Sequence, residues 1–184
     1  NVLIAAFRRN PPSSFMVLMK GPAKYIWKNT FPDIACDYSL NEMISKATCI
    51  FTGSGWATSL EFDAIKLARE RGLFCTAVLD HWVNYEQRFN RNGLKVWPDC
   101  FLVTDSEAYK LACLTFPPEN IVQCENFYLE DQINRITSKE ETNEKQLLYI
   151  CEPMRNTWGR DQGGEFQVLD YFLETIEKLQ IPNS

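Results

Sequence analysis

The chain has a single histidine, His81, and none of its seven cysteines forms a CxxC pair. A zinc site needs several imidazole or thiolate ligands held close together, so this composition argues against a metal centre. Glycine is also sparse in patterned form. There is no GxGxxG run, no Gly-Lys-Ser/Thr phosphate loop and no GxSxG elbow, which removes the common dinucleotide, P-loop and hydrolase signatures. No apolar run nears the ~20 residues that a membrane-spanning helix requires. Basic residues are outnumbered: 19 Lys and Arg against 24 Asp and Glu give a net charge of −5. Such a balance argues against a surface built to neutralise a nucleic-acid backbone, while leaving room for a local basic pocket.

What is present describes a globular protein. Across 184 residues, 45% are hydrophobic and 23% charged, enough for one domain, or one domain and part of a second. The cysteines stand singly in apolar runs such as TCIF, LFCTAV and PDCFLV. There a thiol acts as a small buried hydrophobe, as expected of a reducing, cytoplasmic setting. The opening NVLIAAFRRNPP has no basic stretch before its apolar run and makes a poor signal peptide. Asn1 stands where an initiator methionine would, which leaves a processed form, a fragment or an excised domain open.

Along the chain, apolar runs alternate with helical periodicity. VLIAAF (2–7) is a short apolar run and FMVLM (15–19) a β-branched and aromatic one. Pro22 at a first helical position opens a short helix over 23–29. Ser39 followed by Glu42 reads as a capping box. TCIFTG (48–53), LFCTAVLD (73–80), DCFLVTD (99–105) and NIVQCEN (120–126) read as strands. Between them, Leu60, Ala64, Leu67 and Ala68 give helical spacing ended by Gly72, and Ser106 opens a second helix. A helix over FYLEDQINRITSK follows. This alternation predicts an α/β fold: a parallel, doubly wound, Rossmann-like sheet flanked by helices. The polar stretch 138–145 is the expected linker after a domain at 1–137. Residues 146–184 then supply a strand (146–152) and an amphipathic helix carrying Phe166, Leu169, Phe172, Leu173, Ile176 and Leu179.

In a parallel sheet, ligands bind outside the carboxyl ends of the strands. Two features fall there. The turn Thr52-Gly53-Ser54-Gly55 leads into a helix whose first turn carries Thr58 and Ser59. Its glycines permit close approach and its free N–H groups favour a phosphate or carboxylate. The plain structural reading is a tight turn that merely needs glycine. Glu61 could serve as a hydroxyl acceptor or general base, or simply complement the helix dipole. The second feature is Asp80-His81-Trp82-Val83-Asn84-Tyr85, with Arg88 and Arg91 close behind. His81 suits acid–base work or a hydrogen bond to a pyrophosphate, although a lone histidine is often structural. Ser54 with His81 would make a small hydrolase. The loop 153–164, with Arg155, Trp158 and Arg160, is either an anion-contacting loop or a plain connection.

The run TGSGWATSLEFDAIKLARERGLFCTAVLDHWVNYEQRF, with PDCFLVTDSEAYKLA and NIVQCENFYLEDQI after it, resembles the N-terminal half of GT-B glycosyltransferase-like proteins. That group includes polysaccharide-biosynthesis transferases and UDP-N-acetylglucosamine 2-epimerase-like proteins, and the resemblance covers about residues 15 to 132. It implies that Gly53, Ser54 and Gly55 face an inter-domain cleft and that Asp80, His81 and Tyr85 lie on its acceptor side. It also implies that residues 146–184 begin a second Rossmann-like domain, the part that supplies most nucleotide-sugar contacts in the family. The sequence ends at Ser184 before any such motif. Either it is a fragment of a larger transferase, or residues 146–184 complete a single domain.

The expectation is therefore a glycosyltransferase of cell-surface polysaccharide biosynthesis, or its acceptor-side domain, acting on a nucleotide-activated sugar. Asp80, His81 and Glu61 are its candidate catalytic groups. Gly53, Ser54, Gly55, Thr58, Ser59, Tyr85 and Arg88 are its candidate ligand contacts. No metal or other cofactor is expected, nor nucleic acid or a membrane span. A second domain or partner chain would complete the site. The alternative is a non-catalytic Rossmann-like module binding a nucleotide, a sugar phosphate or a protein partner.

Overall fold

A computed structural model describes residues 2–55, 58–136, 148–151 and 163–176. Backbone contacts divide the chain into two compact units, Asn1–Thr137 and Ser138–Ser184.

The first unit is built on four strands, β1 (Cys49–Thr52), β2 (Phe74–Leu79), β5 (Cys100–Val103) and β6 (Ile121–Gln123), parallel and in the order β1-β2-β5-β6. A two-stranded hairpin, β3 (Asn90–Arg91) and β4 (Leu94–Lys95), is inserted between β2 and β5. The architecture is a parallel, Rossmann-like α/β sheet flanked by helices. The strand order runs without reversal among the described strands. Right-handed crossovers then carry the connecting helices to one face. Burial agrees: Cys75, Ala77, Leu79, Phe101 and Val103, which alternate along the inner strands and share a face by register, are almost wholly buried. They form one core with Ile65 and Ala68 of α4 (Leu60–Glu70) and Ala108 and Ala112 of α6 (Ser106–Cys113). On the other face the inner Thr76 and Val78 are buried, yet Phe51 and Phe74 remain 63% and 57% exposed.

Local signals place these elements. Gly72, at φ +66°, takes the left-handed position that ends α4. The hairpin turns on Asn92-Gly93, both at positive φ, the pattern that favours a two-residue turn matching the twist of its strands. Ser39 caps α3 (Leu40–Lys46) by accepting from the Glu42 N–H, but the Glu42 carboxylate turns to Lys46 at 2.8 Å, so the capping box is half made. The cap of α6 is Asp105, which accepts from the Ala108 N–H, with Ser106 already inside the helix. The helix thus opens at Ser106 as expected, with the Asp105 carboxylate one residue earlier reaching an orphan N–H group.

The apolar run at the amino end is a helix, α1 (Val2–Arg9), and α2 (Gly21–Thr30) starts with Pro22 in its first turn. Trp27, Ile4, Val17 and Cys36 make a second small core. FMVLM contributes an isolated bridge, Leu18 to Asp37. Arg8 and Arg9 of α1 pair with Asp131 and Glu130 of α7 (Phe127–Ile133).

In the second unit, α8 (Gly164–Ile176) is the expected amphipathic helix in its described part; Leu179 lies outside the described residues. Tyr149 packs against Phe172 with ring centroids 4.7 Å apart. Leu148–Cys151, the described part of the expected strand 146–152, forms no strand. An extended segment needs a ladder partner, and none of the described residues pairs with it. The expected linker 138–145 and Arg155, Trp158 and Arg160 lie outside the described residues.

Phe101 stacks on Phe116 at 3.9 Å and is fully buried in an inner strand. Phe101→Ala is expected to lower stability by about 3–5 kcal/mol in urea unfolding. Burial pushes the Cys75 thiol up to about 12, while Cys49 is exposed. At pH 8 a thiol reagent should modify Cys49 in the native protein and reach Cys75 only after unfolding; equal rates would contradict the buried strand.

Candidate functional site

Parallel register brings the ends of β1, β2, β5 and β6 to one edge. The Gly53–Gly55 turn and the Asp80–Asn84 loop therefore emerge side by side, with Asp105 following β5.

These loops are joined by a buried cation. Arg88 leaves α5 (Tyr85–Arg88) with its side chain only 4% exposed. Its Nη1 donates to the Ser54 carbonyl at 3.1 Å, the Ser54 hydroxyl at 3.2 Å and Asp80 Oδ1 at 3.2 Å, and its Nε to the Val83 carbonyl at 3.1 Å. Arg91 completes the arrangement by donating to the Gly55 carbonyl at 3.4 Å and to carbonyls of its own segment. Both guanidinium groups are thus engaged in holding backbone. Arg88, expected to touch ligand, is nearly buried and directs these hydrogen bonds to the two loops.

Ser54 is buried and donates its hydroxyl to the Val78 carbonyl at 2.7 Å. A hydroxyl committed to a backbone oxygen under an arginine cannot serve as a nucleophile for His81, so the hydrolase arrangement is not formed. Gly53 and Gly55 have no positive φ. Space is tight only at Gly55, where a Cβ would lie 3.1 Å from Glu61 Oε1; at Gly53 it would come no nearer than 3.9 Å. Glu61 therefore rests its carboxylate against the turn, with Oε2 buried and without a hydrogen-bond partner. Ser59 Oγ donates to Asp63 Oδ2 at 2.7 Å, and Thr58 and Ser59 are exposed. The first turn of α4 thus carries two carboxylates of its own, Glu61 and Asp63. They complement the helix dipole and oppose the phosphate or carboxylate expected at this turn.

The Asp80 loop is the open part of the edge. His81 is 70% exposed, with Nε2 3.9 Å from Asp80 Oδ2, so one carboxylate faces the buried Arg88 on one side and the exposed imidazole on the other. Trp82 donates its indole N–H to both oxygens of Asp105, at 3.1 and 3.0 Å. Asn84, at φ +60°, turns the chain so that α5 can begin. Tyr85, expected to contact ligand, instead stacks on Phe116 in the core. Burial, reinforced by Asp105 and Asp80 and opposed by Arg88, holds its phenol above the ordinary value.

The residues that sequence reasoning passed over are Asp105 and the anchoring roles of Arg88 and Arg91. Asp105 stood in plain view at a strand end. The two arginines gave only their spacing, which cannot tell an inward side chain from an outward one. A cleft of about 590 Å³ lies at the opposite, amino end of the sheet and includes Arg69, Lys95, Trp97 and Asp99. Its cations are already paired, Arg69 with Asp99 at 2.6 Å and Lys95 with Glu86. Among the described residues no cluster of three metal-ligating side chains occurs, and no helix is long and apolar enough to cross a membrane.

Removing Arg88 strands Asp80 and the Ser54 carbonyl together. Arg88→Met is expected to destabilise the fold by about 3 kcal/mol or more. Asp80→Asn, which keeps an acceptor oxygen for the buried Arg88 on the half-exposed side of the pair, should cost less. Denaturant unfolding of both variants checks the ranking.

Set beside known proteins, the chain matches no family model, no curated protein and no solved structure, so its function has to be read from this geometry.

Proposed function

We propose that this edge is the acceptor side of a glycosyl-transfer site that uses a nucleotide-activated sugar. The observation that carries the reading is the Asp80–His81 pair at the end of β2, fixed from below by Arg88. The imidazole accepts the proton of an acceptor hydroxyl as its oxygen attacks the anomeric carbon and the nucleoside diphosphate leaves. Asp80, held in place by Arg88, faces the imidazolium that forms. Glu61 takes a supporting place as an acceptor for a ligand hydroxyl near the Gly53–Gly55 turn. The leaving diphosphate needs cations or helix N-termini. Arg88 and Arg91 are engaged with carbonyls and Asp80, and α4 begins with its own acids. The donor is therefore held by a second domain or partner chain.

That same engagement of the cations favours a second reading, a binding module without turnover. The two separate on one experiment: release of nucleoside diphosphate from a panel of nucleotide-sugars, with and without neutral saccharide acceptors. On the first reading release depends on acceptor, and His81→Ala lowers it about 10²- to 10⁴-fold while leaving the thermal midpoint unchanged. Ligand-induced stabilisation with no release supports the module; full activity of His81→Ala removes His81 from the chemistry.

A further inference from the structure

Trp82 is 61% exposed, yet its ring is not loose. Both Asp105 oxygens accept the indole N–H, at 3.1 and 3.0 Å, and Asp105 is itself fixed by accepting the Ala108 N–H at 2.8 Å. A large aromatic surface left in water is ordinarily free to rotate or to fold down onto apolar neighbours. Here its polar edge is pinned to the start of α6, which leaves the ring faces open beside Asp80 and His81. A ring immobilised before the ligand arrives loses little further freedom on binding.

We propose that Trp82 is the stacking platform for the ring of a neutral carbohydrate, whose hydroxyls are met by Asp80, His81 and Asn84. The charges select this ligand class. The carboxylates set about Trp82 are Asp105, which holds the indole N–H, and Asp80, two residues before it, with the Arg88 guanidinium buried behind Asp80. A phosphate on the platform would face two carboxylates, which disfavours it. A sugar instead offers a weakly polar C–H face to the indole and hydroxyl donors to the carboxylate and imidazole. Trp82 would thereby set which acceptor ring is admitted, a specificity-determining role that rests on the acceptor-side reading above.

The test is saturation-transfer NMR and equilibrium titration of the full chain with neutral β-linked and α-linked disaccharides of glucose, galactose and N-acetylglucosamine. Uridine, UMP and UDP serve as the comparison. The expected result is saturation of the C–H face of one sugar ring and an affinity that falls at least tenfold in Trp82→Ala. Trp82→Phe, which keeps a ring but loses the anchoring N–H, should fall between the two. Circular dichroism and thermal midpoints establish that both variants fold. Undiminished disaccharide binding by Trp82→Ala overturns the proposal, as does stacking of uridine on Trp82 in preference to sugar. Absence of disaccharide binding, with nucleotide-sugar turnover intact, overturns the platform and spares the transferase reading. Failure of both ligand classes defeats the two together.

Discussion

The carboxyl edge of this sheet is organised by one buried guanidinium. Arg88 binds the Ser54 carbonyl and hydroxyl from the first strand's turn and Asp80 and the Val83 carbonyl from the second strand's loop. A charge taken out of water must be matched by acceptors or the fold loses several kcal/mol. That demand fixes two loops to each other. Ser54 is drawn inward, Asp80 is held half-exposed, and His81 is left projecting over it. The sheet supplies the edge, and Arg88 supplies its order.

The same edge is short of positive charge where a ligand would meet it. Its arginines are turned to backbone oxygens, and the first turn of α4 holds Glu61 and Asp63. What remains exposed is a carboxylate, an imidazole, an amide and a pinned indole. Such groups suit hydroxyls and the faces of uncharged rings. A diphosphate needs cations or helix N-termini beyond these groups.

Much of this was legible in the residues. Strands at 49–52, 74–79, 100–103 and 121–123 fall inside the apolar runs, because a buried parallel strand must be apolar on nearly every residue. Gly72 and Ser39 announced a helix end and a helix start. Other features were hidden. The run 2–7 is a helix whose Ile4 packs with Val17, Trp27 and Cys36 and whose Arg8 and Arg9 meet carboxylates of α7 more than 120 residues away in sequence. Asn92-Gly93 was a readable hairpin signal that sequence reasoning left unused. Leu148–Cys151 has strand-like composition but lacks a described partner strand.

By itself, the sequence determined the α/β class, the positions of the strands and the loops that gather at their carboxyl ends, since hydrophobic period and turn residues are local properties. Only the tertiary structure decided which of those loop residues are buried and which face solvent. Tyr85 and Arg88 turned inward, His81 and Trp82 outward, and Ser54 was committed to the Val78 carbonyl. The sorting follows from burial and from hydrogen bonds between residues 24 and 34 positions apart, and no pattern along the chain encodes it.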